Sequence, residues 1–227
     1  MKIGQFPNNF YWGAATASYQ VEGGNYDCDW AEAAAEGKVP VAGKLADHYH
    51  LYEKDFDLAK ELGHNAHRFS IEWARIEPEE GVFDEAEFEH YREVLRSLRA
   101  RNLEPFVTLW HFTLPLWFSE TGGFQRKDAP AVFARYTAKV VEAMGDLCTH
   151  YATINEPNVY ATHGYLYGAW PPFKRARILW KKIGKEDGTS EKTGAKARFG
   201  HFFTYFAVAQ SLVKAHKAAY QAIKEVN

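Results

Sequence analysis

Four short polar segments carry the side chains that could do chemistry. They are Ser18-Tyr19-Gln20-Val21-Glu22, Asn65-Ala66-His67-Arg68-Phe69-Ser70, Trp110-His111-Phe112 and Asn155-Glu156-Pro157-Asn158. A carboxyl such as that of Glu156, walled by aromatic rings, is held protonated above its ordinary range and can act as a general acid. Gln20, His111 and Asn155 offer the mixture of donors and acceptors that vicinal hydroxyl groups require. Trp12, Trp110 and Trp117 are candidate flat faces on which a ring could stack. Taken alone, each residue has an ordinary structural role: a turn cap for Gln20, a satisfied core histidine for His111, an ion pair for Arg68, a strand terminator for Glu156, core packing for any one tryptophan. What sets them apart is that they fall together where strands are expected to end.

Those strands follow from the pattern of apolar residues. Apolar runs at 10–16, 66–71, 106–110 (opened by Glu104-Pro105) and 152–155 are each followed by a helical period. The helices are expected near 47–62, 85–101, 129–147 and 200–225. Their inner stripes are Leu51, Phe56, Ala59 and Leu62; Phe88, Tyr91, Leu95 and Leu98; Val132, Phe133, Tyr136, Val140 and Met144; and Phe203, Phe206, Leu212, Val213, Tyr220 and Ile223. The spacings of three and four are those of a helix face, and Gly63 sits where a helix would close. Strand–helix alternation repeated four times predicts an α/β fold with parallel strands joined by crossover helices. No GxGxxG or Walker sequence opens a helix, which removes support for a nucleotide-type doubly wound sheet and for any bound cofactor. A closed barrel needs eight such units. The expectation is therefore one domain over residues 1–227, half of a (β/α)8 TIM barrel, in which polar residues at the C-terminal strand ends form the active face. A basic, Gly-containing connection at about 174–200 is expected to be mobile and solvated.

Composition narrows the partners. The 227 residues carry 27 Lys+Arg and 29 Asp+Glu, a formal charge of −2, so neither nucleic acid nor an anionic membrane is an expected partner. No apolar run reaches the roughly 18–20 residues of a spanning helix, and the first residues lack the apolar stretch of a signal peptide. Cys28 and Cys148 stand far apart in no metal spacing and are read as free thiols of a cytoplasmic protein. His48, His50, His64 and His67 form no HExxH or Cys/His pattern, so no metal site is expected. Aromatic residues make up 16% of the chain, with seven Trp and thirteen Tyr, more than a generic core calls for, and carbohydrate is one candidate ligand.

Four motifs carry a resemblance over nearly the whole chain. Phe10-Tyr11-Trp12-Gly13-Ala14-Ala15-Thr16-Ala17-Ser18-Tyr19-Gln20-Val21-Glu22-Gly23 resembles the N-terminal signature of glycoside hydrolase family 1, the β-glucosidase and β-galactosidase family. Arg68-Phe69-Ser70-Ile71-Glu72-Trp73, His111-Phe112-Thr113-Leu114-Pro115 and Thr153-Ile154-Asn155-Glu156-Pro157-Asn158 resemble its later motifs, in family order and at family spacing. The resemblance implies a retaining exo-β-glycosidase ancestry on a (β/α)8 barrel. It implies Glu156 as catalytic acid/base and Asn155 as the neighbour that contacts the sugar 2-hydroxyl. It implies Gln20 and His111 as holders of hydroxyls on the non-reducing sugar, and Arg68 as the arginine that orients the nucleophile carboxylate. Trp110 is grouped with these as a substrate-binding face.

The departure from the family is equally specific. The family's nucleophile is a glutamate in a Thr/Ile-Thr-Glu-Asn-Gly run on the seventh strand, and these residues contain no such run. Retention needs two carboxylates about 5–5.5 Å apart; an inverting pair stands about 6.5–9.5 Å apart. Glu72 and Glu22, just past the second and first strands, are the only substitutes the pattern suggests, and Glu72 reads first as a member of a structural ion pair. The expected function is hydrolysis of β-glycosides, weak and broad in specificity; the alternatives are a non-catalytic carbohydrate-binding half-barrel or one half of a two-chain glycosidase. Four parallel strands with helices on one face leave apolar surface and two edges open, so a homodimer or a complementary half-barrel chain is the expected partner.

Overall fold

The computed structural model describes residues 5–24, 27–175, 178–179, 198–199 and 202–226. In chain order the elements are β1 (Gly13–Ala15), α1 (Ser18–Val21), α2 (Asp29–Ala35), α3 (His48–Glu61), β2 (Ala66–Ser70), α4 (Trp73–Ile76), α5 (Glu85–Ala100), β3 (Glu104–Trp110), α6 (Leu116–Glu120), α7 (Ala129–Met144), β4 (His150–Ile154), α8 (Pro157–Ala161), a two-residue pair β5 (Ile178–Leu179) and β6 (Arg198–Phe199), and α9 (Phe202–Val226). Strands β1 to β4 form one sheet in the order β1-β2-β3-β4, every pair parallel. This is the expected α/β arrangement of four strand–helix units. Apart from Lys174, Arg175 and the β5–β6 residues, the basic connection expected at about 174–200 lies outside the described residues.

The sheet separates two environments. Phe69, Val107 and Leu109 join Phe56, Leu95, Leu98, Val140 and Tyr136 in one apolar layer under the helices. Among the described residues the two edge strands are the least covered: β1 is exposed throughout and β4 only half-buried. Gly13 is dictated by the closeness of β2, because a Cβ there would sit 2.1 Å from the Ala66 carbonyl oxygen. The first strand is shorter than its apolar run. Asn65 takes the Trp12 N–H at 2.6 Å and donates to the Phe10 carbonyl at 2.9 Å, and Phe6, Phe10 and Trp12 pack on one another below the sheet.

Helix ends follow their side chains. Asp84 caps α5 by accepting from the Ala86 and Glu87 N–H groups. Gly63 and Asn102 close α3 and α5 with φ of 81° and 52°. His64 N–H bonds Ala59 O and Leu103 N–H bonds Leu98 O, the closure in which a left-handed residue satisfies the last carbonyls. Within α5 and α7 every expected inner residue is buried. Two stripes differ from expectation. Leu62 in the α3 stripe is exposed, since it lies beyond the last full turn. In α9, Phe203, Phe206, Val213 and Tyr220 are exposed, while Val208, Leu212, Ala215 and Ala219 are buried. Small side chains on that face let α9 lie close along α7. Among the described residues no helix is long and apolar enough to cross a membrane.

Candidate active site

Side chains from within β2 and β3 and from the residues just past β3 and β4 meet in a hydrogen-bonded chain. Arg68 donates from Nε to Thr108 Oγ1 at 2.7 Å and from Nη2 to Asn155 Oδ1 at 2.7 Å. Asn155 Nδ2 lies 3.3 Å from His111 Nε2, so the amide can donate to a neutral ring. Burial pushes His111 down to about 4, and the Arg68 guanidinium adds to this, which keeps the imidazole neutral near pH 7. Among the described residues no carboxylate forms an ion pair with Arg68.

Two of the flanking residues hold backbone conformations that side chains resist. Glu156 caps α8 with φ 44° and ψ 59°, in the left-handed region and immediately before Pro157. Phe112 has φ 74°, and the Thr113 N–H bonds the His111 carbonyl at 3.0 Å, a γ-turn. Such residues cost about 1–3 kcal/mol each and persist where their surroundings over-determine them. Here Trp110 Nε1 donates to Thr113 O at 2.7 Å, and Asp29 Oδ1 accepts the Leu114 N–H at 2.9 Å. No periodicity in the sequence announces either turn.

The expected site residues divide. Arg68, His111 and Asn155 come together, with Glu156 next in the chain to Asn155. Glu156 itself is exposed, rather than enclosed as a walled carboxyl would be. Gln20 is exposed on α1, whose start is fixed to β2 by the Ser18 N–H on Ser70 Oγ at 2.7 Å. Trp110 does not join them. It is 1% exposed, its ring fills the space between Phe124 and Tyr160, and its N–H is spent on Thr113. Trp117 is also turned inward, on Trp73 and Phe118, with its N–H on the Glu77 carbonyl.

The two substitute carboxylates are buried rather than presented. Glu72, fully buried, accepts from Ser18 Oγ at 2.9 Å, from Thr113 Oγ1 at 3.0 and 2.9 Å, and from the Ala74 N–H at 3.4 Å. It is therefore held by hydroxyls and an amide, not by the ion pair expected from sequence. Burial raises its proton affinity against those bonds. Glu22 is the residue paired with Arg75, at 3.0 Å, and also accepts from Tyr91 at 2.8 Å; burial outweighs the guanidinium and pushes it up to about 7. Thr108, Ser18, Ser70 and Thr113, which hold the site residues, escape sequence reasoning because a buried hydroxyl in a strand or loop has no periodic signal. Among the described residues no group of three or more His, Cys, Asp or Glu side chains could hold a metal ion.

The family model for glycosyl hydrolase family 1 matches residues 2–227. The chain belongs to glycosyl hydrolase family 1. It is similar to the 1,4-beta-D-glucan glucohydrolase of Thermotoga neapolitana, at 36% identity over 178 residues, covering 74% of this chain and 42% of that protein. It is similar to beta-glucosidase A of Thermotoga maritima, at 35% identity, covering 77% of this chain and 42% of that protein. Among solved structures, a beta-glycosidase from Pyrococcus horikoshii superposes with a TM-score of 0.81 and 40% identity, covering 97% of this chain and 46% of that one. The family 1 β-glucosidase from Thermotoga maritima superposes with a TM-score of 0.84 and 30% identity, over 100% of this chain and 48% of that one. The chain thus spans less than half the length of the relatives it matches, and its four strand–helix units correspond to half of the family's (β/α)8 barrel.

Proposed function

We propose that these residues supply the acid/base half of a site that hydrolyses β-glycosides. Glu156 gives a proton to the departing oxygen and later takes one from water. Asn155, His111 and Gln20 hold hydroxyls of the sugar. Arg68 receives and orients the second carboxylate. The single observation that carries the reading is the Arg68–Asn155–His111 chain, which binds the ends of three adjacent parallel strands beside Glu156. Glu22 and Glu72 are buried and fully engaged, so the second carboxylate comes from outside the described residues, on a segment that docks against the open face of the sheet: a complementary half-barrel chain, a second copy of this chain, or further residues of a longer polypeptide. That segment also shields Glu156 from water. Without it, turnover is slow and loosely specific, because transition-state contacts from the other half are missing.

The reading is tested with aryl β-glucosides whose phenol leaving groups differ in acidity, on the parent and on Glu156→Gln. A general acid matters most when the leaving group is poor. Glu156→Gln is expected to slow substrates with weakly acidic phenols by about 10²–10⁴-fold, and those with strongly acidic phenols far less. Equal losses across the series, or none, would count against Glu156 as the acid. Sugar binding by a parent that turns over no substrate would favour the non-catalytic carbohydrate-binding reading.

A further inference from the structure

We infer that Glu72 is a positioning residue that ties together the two segments bearing Gln20 and His111, an inference that rests on the reading above. Its carboxylate hydrogen-bonds both. Ser18, the first residue of α1, donates its hydroxyl to Glu72 Oε2 at 2.9 Å, and Gln20 stands two residues further along this single turn. Thr113, the last residue of the Phe112 γ-turn, donates its hydroxyl to both oxygens of Glu72, and His111 stands at the other end of that turn. Glu72 itself is anchored. Its backbone N–H bonds the Tyr91 hydroxyl at 3.0 Å, and its side chain caps α4 through the Ala74 N–H.

The arrangement suits alignment better than it suits stability. A buried carboxylate with no cation bonded to it is a costly way to join two loops, and apolar packing would hold them at lower cost. Carboxylate oxygens, however, accept several hydroxyls at fixed angles. At the strained Phe112 turn Glu72 adds a side-chain tie to the backbone bonds from Trp110 and Asp29, and losing it loosens Thr113 and with it the placement of His111 against Asn155. The far end of α1 is fixed independently, by Arg75 and Tyr91 on Glu22. Cutting the Glu72 bond therefore loosens the start of the turn that bears Gln20, which keeps only its bonds to Ser70, while leaving its end in place. Glu72 touches no substrate in this scheme and acts only through Ser18 and Thr113.

The test uses Glu72→Gln, which keeps the shape and an oxygen for the Ala74 N–H but turns the acceptor facing the Ser18 hydroxyl into a donor. Ser18→Ala and Thr113→Val each cut one arm and serve if Glu72→Gln fails to fold. Amide hydrogen exchange is followed in residues 16–22 and 111–114, and aryl β-glucoside kinetics are run alongside. Glu72→Gln is expected to speed exchange in both segments together, Ser18→Ala only in the first, and Thr113→Val only in the second. The ratio kcat/KM is expected to fall by about 10–100-fold, the range that a misplacement of about 1 Å can cause, with the leaving-group dependence of the parent unchanged. Combining Glu72→Gln with Gln20→Ala is expected to lose less than the product of the two single losses, because both act on one contact. Unchanged exchange in either segment of Glu72→Gln, or strictly multiplicative losses, would overturn the inference. A parent with no turnover would sink the proposed hydrolysis, and the exchange pattern would still decide whether Glu72 joins the two segments.

Discussion

Asp29 offers a quantitative test of how this fold buries its acids. It opens α2, accepts the Leu114 N–H at 2.9 Å, and is pushed by burial from 3.8 up to about 8. A carboxyl whose folded value lies above its unfolded value binds its proton more tightly in the folded state. Its contribution to stability is complete below about 3.8 and is lost as the pH rises through about 8. The histidines act in the opposite sense. His67, lowered by burial from 6.5 to about 4, removes stability as the pH falls below 6.5, and is silent above it. The interval from about pH 6.5 to about pH 8 therefore isolates the acids. Linkage over that interval gives a loss on the order of 1–2 kcal/mol from Asp29 alone. Asp29→Asn keeps an oxygen for the Leu114 N–H and cannot ionise. Its stability relative to the parent, measured by urea midpoints at the two pH values, is expected to improve by that amount. In a chain of this size the same difference is about 3–6 °C in melting temperature. Glu22, pushed up to about 7, also titrates in this interval, but it is present in both proteins and cancels in the difference. A parent-to-variant difference that stays constant, or moves the other way, would refute the assignment of a buried, protonated Asp29.

Two further outcomes follow from particular contacts. Gly13→Ala places a Cβ against the Ala66 carbonyl and is expected to part β1 from β2, at a cost of about 1–3 kcal/mol, seen as a lowered melting temperature with faster amide exchange at residues 66–68. Arg68→Met removes the smaller of the two causes that lower His111, so the ring should titrate above about 4 but still below 6.5, as followed by NMR of the imidazole; a return to the full 6.5 would mean that burial is not the larger cause.

Most of the architecture was legible because it is periodic. Phe88, Tyr91, Leu95 and Leu98 recur at the helical spacing and lie buried on α5, as do Val132, Phe133, Tyr136, Val140 and Met144 on α7. The stripes failed at Leu62 and along α9, where period alone cannot say which of two apolar faces meets a neighbour. Trp110 failed as a ligand face for a related reason. Residue type marks it as a stacking surface, but whether a ring looks outward depends on what packs over it, here Phe124 and Tyr160.

By itself, then, the order of residues determined the four parallel strand–helix units, and the motifs that place Arg68, His111, Asn155 and Glu156 at strand ends. These rest on local periods and on family resemblance, both of which are properties of the chain read in one dimension. Only the tertiary structure decided that Glu72 is held by Ser18 and Thr113 rather than by a cation, and that Glu22 takes the Arg75 ion pair. It alone showed Phe112 and Glu156 in left-handed conformations at the ends of β3 and β4. Such pairings join residues some 40 to 54 positions apart, as Thr113 with Glu72 and Ser18 with Glu72, and their geometry exists only once the sheet has brought the strand ends side by side.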